Sequence, residues 1–196
     1  MSVEQMWGDY GVQPSRYPGW MLEDEGRAYE QQVSQHFLTA MSALAATVTV
    51  VAATSPSGER CGITATAVCS LSTEPPQLVV CVNRSSSMAR ALEQTGWFSV
   101  NLLAGDQEEL AGTFAGRTGL RGEGRFAADR WRQHVTGAPI LLNSAATCIC
   151  HVSNSLQQAT HVVLVGSVLD VILPDGGPRD PLMYHMRRFT TPRAEQ

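Results

Sequence analysis

Gly62-Ile-Thr-Ala-Thr-Ala-Val-Cys-Ser-Leu-Ser-Thr-Glu-Pro-Pro-Gln-Leu-Val-Val-Cys-Val-Asn-Arg-Ser-Ser-Ser87 is the stretch that decides how this chain folds. It reads as a strand of small and hydroxylated residues, a Pro-Pro turn, an apolar strand and a serine-rich helix start. Small side chains leave strand backbone open to a flat ligand, and the unpaired amides of a helix start can hold a phosphate. Thr64, Thr66, Ser70 and Ser72 share one parity, so an unbroken strand would place them on one face. The same pattern also describes a solvated sheet face, and Asn83 to Ser87 also describes an ordinary capped helix. The layout suits a planar phosphorylated ligand better than a metal or a nucleophilic triad.

Around this stretch lies a chain of 196 residues, 43% hydrophobic and 16% charged, enough for one domain with a substantial core. A net charge of -4 and the lack of a Lys/Arg run give no footprint for nucleic acid. No apolar run is long enough to span a bilayer, and the acidic N-terminus is not a secretory signal, so a cytoplasmic protein away from membranes is expected. Five cysteines are read as reduced, buried thiols. Cys148 and Cys150 fall on one strand face, but no further ligands accompany them, so no metal site is expected.

Residues 1–34 read as an arm with a short helix near its end, rich in Trp and Tyr, and 35–191 as the main domain. Helical spacing runs from Gln35 to Ala45. Strands are expected at 46–54, 62–72, 78–82, 97–103, 145–154, 161–173 and 182–189. A second helix spans 85–95. A third spans 106–115, with Asp106 as its cap, Glu109 completing a capping box and Gly116 as its stop. Residues 116–132 read as a surface loop or mobile segment. About seven strands and three helices without regular βα alternation make the chain mainly β (α+β) and favour a closed antiparallel barrel with peripheral helices.

No G-x-G-x-x-G, P-loop or G-x-S-x-G element is present. His161 heads an apolar strand, where a structural hydrogen-bonding role competes with a catalytic one. Tyr184-His-Met-Arg-Arg-Phe189 sets two arginines beside aromatic residues. That is either a surface strand or a means of stacking and ion-pairing an anionic aromatic dinucleotide.

Seven motifs carry a resemblance to a known family: Gly62 to Ser70, Glu74-Pro-Pro76, Val80-Cys-Val-Asn-Arg-Ser85, Phe98-Ser-Val-Asn-Leu-Leu103, Leu110-Ala-Gly-Thr-Phe-Ala-Gly116, Ala159-Thr-His161 and Pro181 to Phe189. Together and in order they resemble the flavin reductase-like family with the FMN-binding split barrel. The similarity is to the small reductase component of two-component flavin-dependent monooxygenases. The resemblance implies a homodimer of split barrels that carries hydride from NADH or NADPH to FMN or FAD. Reduced flavin would then pass to a separate monooxygenase or halogenase. It also implies that Thr64, Ala65, Thr66 and Ala67 line the flavin ring through backbone groups, continued by Cys81, Val82 and Asn83. Ser87 and Met88 would sit near the phosphate, with Thr113 and Phe114 as further flavin contacts. His161, Tyr184, Arg187 and Arg188 correspond to where the nicotinamide dinucleotide folds over the flavin, His161 being the catalytic candidate. Ser70 closes the first motif. A flavin-binding split-barrel protein without reductase activity, and a one-component flavin oxidase, are the alternatives.

Overall fold

The computed structural model describes residues 23–192; residues 1–22 of the expected arm lie outside the described residues, and 23–34 are helical. Two compact units divide at Leu44/Ala45. In the first, the helix α1 runs over Glu23–Ser42, starting a dozen residues before the apolar spacing becomes visible. Tyr29, Val33, Phe37 and Met41 recur along it every four residues, all exposed.

The second unit holds twelve strands and two α-helices. The strands are β1 (Ala46–Thr47), β2 (Thr49–Thr54), β3 (Arg60–Ala65), β4 (Val68–Thr73), β5 (Pro76–Asn83), β6 (Trp97–Leu102), β7 (Trp131–Gln133), β8 (Pro139–Leu141), β9 (Ala146–Gln158), β10 (His161–Ile172), β11 (Met183–His185) and β12 (Arg188–Thr190). The helices are α2 (Ser87–Thr95) and α3 (Glu108–Phe114). The protein is therefore mainly β, with three helices among the described residues. No helix there is long and apolar enough to cross a membrane.

Seven strands form one antiparallel sheet in the order β3-β2-β6-β9-β10-β5-β4. Its two edges, β3 and β4, are consecutive in the chain and joined only by Thr66 and Ala67. Three residue steps reach at most roughly 11 Å, so the sheet must curl until its edges nearly meet. No ladder joins β3 to β4 among the described residues. The expected single strand over 62–72 is thus two strands with a break, and Thr64 and Ser70 do not share a regular face.

β2 explains why the sheet needs two cores. Its residues Thr49 to Ala53 are all buried. Val51 and Ala53 join a core inside the curl with Val80, Val82, Met88, Phe98 and Cys150. Val50 and Ala52 face a second core with Leu103, Leu110, Phe114, Phe126 and Trp131. A strand covered on both faces reads as a continuous apolar run, as this one does. The segment over 116–132, expected as a loop, supplies two of these residues. Phe126 packs edge-on against Phe114 and Trp131, which are tilted to each other, with centroids 4.9 to 5.4 Å apart, and a Cβ on Gly62 would stand 2.8 Å from the Phe114 ring.

Asn101 in β6 is fully buried and uses its whole amide. Its nitrogen donates to the Val50 carbonyl at 3.0 Å and the Ser99 hydroxyl at 2.9 Å. Its oxygen accepts from the Leu141 backbone N–H at 2.9 Å and the Thr147 hydroxyl at 3.0 Å. One side chain so ties β6 to β2, β8 and β9. At helix α2, the cap expected near Ser85 is Ser86, whose hydroxyl accepts from Ala89 N–H. Helix α3 lacks its expected cap. Gln107 stands at that position without a capping bond, because Asp106 instead accepts from Arg179 at 2.8 Å. Cys61 and Cys150 are buried, and burial pushes their thiols up to about 11 and about 12.

Two outcomes follow. Asn101→Leu keeps the volume but strands the buried Leu141 N–H, while the Ser99 and Thr147 hydroxyls keep their other partners, so denaturant unfolding should show a loss of about 1–3 kcal/mol. The Arg60 guanidinium, in a bidentate bond to Glu123, holds that carboxyl below the usual carboxylate range. The pair's contribution is complete above that range and disappears as pH falls through the lowered value. Both groups are partly exposed, so the contribution is small. Stability measured against pH should fall slightly less in acid for Glu123→Gln than for the parent chain.

Candidate functional site

The break at Thr66-Ala67 generates the site. A continuous strand would spend its backbone on neighbours; here two exposed small residues sit between two sheet edges. The Ala67 carbonyl accepts from Cys81 N–H at 3.0 Å, which sets the break beside the end of β5. There Val80 and Val82 point into the core, while Cys81 is half-buried and Asn83 exposed. The Asn83 carboxamide accepts from the Ser85 N–H and hydroxyl at 2.9 and 2.7 Å. This Asx-type turn aims the chain into α2, whose first-turn amides at Ser87 and Met88 lack intrahelical acceptors.

Beyond β5 comes β10, where His161 pairs in register with Asn83. Its ring Nδ1 lies 2.9 Å from the Thr160 hydroxyl, and Arg84 N–H donates to the Thr160 carbonyl. His161 is exposed, as a residue meeting a second ligand must be. On the opposite flank stands the β11–β12 hairpin, two short strands where one was expected. Met186 and Arg187 turn it at positive φ, and Tyr184 pairs with Ala46 of β1. A cleft of about 180 Å³ there is lined by Thr64, Thr66, Arg117, Tyr184 and Phe189. The Arg117 guanidinium lies over the Phe189 ring at 5.3 Å, and Phe189 in turn stacks edge-on with Tyr184 at 5.3 Å.

Several of the sequence-derived residues line a strip: Thr64, Thr66 and Tyr184 share one cleft, Ala67 bonds Cys81 and Asn83 pairs with His161. It runs from Tyr184 through Thr64 and Thr66 to Ala67, Cys81, Asn83 and His161, with Ser87 at its edge. Several expected contacts can act only through backbone, because the side chains of Val82, Met88 and Phe114 are in the core and those of Ala65 and Thr113 are buried too. The Thr64 hydroxyl is also committed, donating to the Ala111 carbonyl of α3 at 2.7 Å. Ser70 stands apart: it lines a separate cleft of about 480 Å³ with Thr49, Leu78, Val100 and Val168. Arg117 was not found from sequence, since a single arginine after a glycine helix stop carries no periodic signal. Arg187 and Arg188 are exposed at the hairpin, without a visible link to His161.

The donor set has a clear sign. Residues 64–67, 81–88, 160–161 and 184–188 contain no Asp or Glu, but they include Arg84, Arg187 and Arg188. Such a strip offers amides, hydroxyls and guanidinium groups to an anion, and small side chains to a flat ring.

Comparisons with known proteins show what this chain is similar to. The family described as Flavin reductase like domain matches residues 41–193. Over 155 residues the chain is 42% identical to a protein of Ancylobacter novellus named FMN reductase (NADH) RutF, spanning 79% of this chain and 83% of that one. It is 40% identical over 155 residues to the 4-hydroxyphenylacetate 3-monooxygenase reductase component of Pseudomonas aeruginosa, spanning 79% and 89%. Among solved structures it resembles BorF, the flavin reductase component of a bacterial two-component tryptophan halogenase, with a TM-score of 0.74 and 30% identity over 83% of this chain and 99% of that one.

Proposed function

The chain belongs to the flavin reductase-like family, and from that premise we propose that it is an NAD(P)H:flavin oxidoreductase supplying diffusible reduced flavin to a separate monooxygenase or halogenase. The observation that carries this reading is the acid-free strip of small residues running into the start of α2. Its groups fit a phosphorylated planar ring, and NADH as the donor follows the names of the relatives. When bound, the flavin supplies the redox chemistry, accepting a hydride from a dihydronicotinamide.

The residues have the following roles. Thr64 to Ala67 present bare backbone to one ring, with Cys81 and Asn83 extending that wall. Backbone N–H groups so placed favour negative charge on a ring held against them. The Ser87 and Met88 amides take the phosphate, with the Asn83-Ser85 turn fixing their direction. Thr113 and Phe114 support the strip from beneath. His161 holds the second ring by a hydrogen bond, Thr160 fixing its imidazole. Tyr184, Arg187 and Arg188 cover the opposite flank. No nucleophile is needed; what the protein contributes is alignment of two rings.

Three further features belong to the same reading. The curled sheet closes as a split barrel, its edges being held within a two-residue link. The chain acts as a homodimer: the large cleft lined by Val68, Leu78, Val100 and Val168 opens near exposed Leu71, Leu169, Val171 and Leu173, more apolar surface than a monomer usually leaves in water. An arm over 1–34 precedes a functional domain over 35–191, and a cytoplasmic location gives access to NADH.

Steady-state kinetics tests the activity. NADH oxidation should require added FMN or FAD and run well above the uncatalysed rate. A chain that binds flavin but shows no such rate is a carrier without reductase activity. His161→Ala should lower kcat/KM for NADH about tenfold, the effect of one lost hydrogen bond to the reacting complex. An unchanged value removes His161 from the site.

A further inference from the structure

The segment over 116–132 holds five of the chain's fourteen basic residues. Its five arginines stand against Glu123 and Asp129, a net of +3 in a chain whose total is -4. Its path relates it to the strip described above. Arg117 lines the cleft of Thr64, Thr66 and Tyr184. A few residues on, Gly122 and Glu123 border a second cleft, of about 370 Å³, together with Ser87 at the start of α2. Residues 117–123 therefore flank the strip from its Tyr184 end to its Ser87 end. We propose that this segment is an electrostatic guide: its arginines draw the phosphate of a flavin into the site from solution, and so favour a phosphorylated flavin over a neutral one by its rate of arrival. The proposal rests on the flavin reductase reading, which it deepens.

A charge can guide a ligand only if it is held in place, and this segment is anchored along its length. Phe126 and Trp131 bury its second half in the outer core. Glu123 accepts from the Arg60 backbone N–H and from its guanidinium. Closer to the Tyr184 cleft, the Arg117 N–H donates to the Gly112 carbonyl at 2.9 Å, and its guanidinium lies over the Phe189 ring. Arg125 Nε donates to the Leu120 carbonyl at 2.8 Å. Its Nη2 lies 3.9 Å from where a Cβ on Gly116 would stand. Arg117 and Arg125 thus gather just past the end of α3.

Nearby acids do not cancel this charge. On the α2 side, Glu59 and Glu123 share the second cleft with Arg60 and Arg90, so the charges there balance. At the other end, the cleft of Tyr184 has no carboxylate in its lining, and the strip itself contains no Asp or Glu. Neither Arg117 nor Arg121 has an ion-pair partner among the described residues. Unpaired guanidinium groups beside an acid-free site make the potential positive there, although the whole chain is acidic. Without them, the net charge would slow the approach of a phosphorylated ligand. Fields of this kind raise association rates by roughly 10- to 1,000-fold, and a few charges belong at the low end.

Stopped-flow fluorescence of flavin mixed with the full chain tests this through the association rate constant. The FMN phosphate carries about two negative charges at pH 7, and riboflavin has no phosphate. Raising ionic strength from about 0.01 M to about 0.15 M shortens the screening length from about 30 Å to about 8 Å. Over that range, FMN association with the parent chain should slow about fivefold, while riboflavin should change less than about 1.5-fold. Arg121→Glu alters an exposed side chain outside both cleft linings. It should slow FMN about threefold at the lower ionic strength and leave riboflavin unchanged, and Arg121→Lys should match the parent. FMN association that ignores salt overturns the proposal. So does an Arg121→Glu chain that matches the parent, or one that slows FMN and riboflavin equally. An Arg121→Glu effect confined to dissociation, and persisting at the higher ionic strength, also overturns it, because Arg121 would then touch the phosphate directly. A parent chain that binds neither flavin sinks the flavin reductase reading itself, a result distinct from one that binds both at rates indifferent to salt.

Discussion

Two residues, Thr66 and Ala67, constrain most of this molecule. They link the outermost strands of a seven-stranded sheet, so the sheet cannot lie open. The curl this enforces creates an interior that Phe98, Val80 and Met88 fill. The same link takes Thr66 and Ala67 out of the strand ladders at a point flanked by two sheet edges. Fold and site thus share one cause: the geometry that bends the sheet also bares the peptide groups on which a flat ligand can rest.

The curl would be loose without a fastening across its middle, and Asn101 supplies it. A buried amide is costly unless every donor and acceptor is matched. Here all are matched, by Ser99 on its own strand and by groups on three others. The side chain therefore sets register as well as stability, since a shift of one residue in any partner would break the set. Gly166 has a comparable role on β10: a Cβ there would stand 2.6 Å from the Phe98 ring, so the ring can lie flat on bare backbone.

Local chemistry was readable from the sequence where it stayed local. Helix α2 has a serine cap and a glycine stop, and both act within one turn. Strands β6 and β10 were visible as apolar runs. What escaped depended on distant partners. Asp106 has the chemistry of a cap but is drawn away by Arg179. Phe126 and Trp131 sit in a Gly/Arg-rich stretch whose composition suggests a loop, yet α3 and Gly62 give them a buried place. The break at Thr66-Ala67 was hidden because the residues on either side are alike in size and polarity. For the same reason Ser70 was grouped with a strip it does not join, while Arg117, which does line it, had no pattern to announce it.

The buried thiols acquire a meaning in this setting. Reduced flavin released into solution reacts with dioxygen and yields hydrogen peroxide, so a protein of this kind works beside an oxidant of its own making. Peroxide attacks thiolates, and attack slows as the thiol is kept protonated and out of water. Cys61 and Cys150 are protected on both counts by the packing of the inner core. The same packing that closes that core thus gives the protein chemical endurance where Phe98 and Met88 hold the curled sheet together.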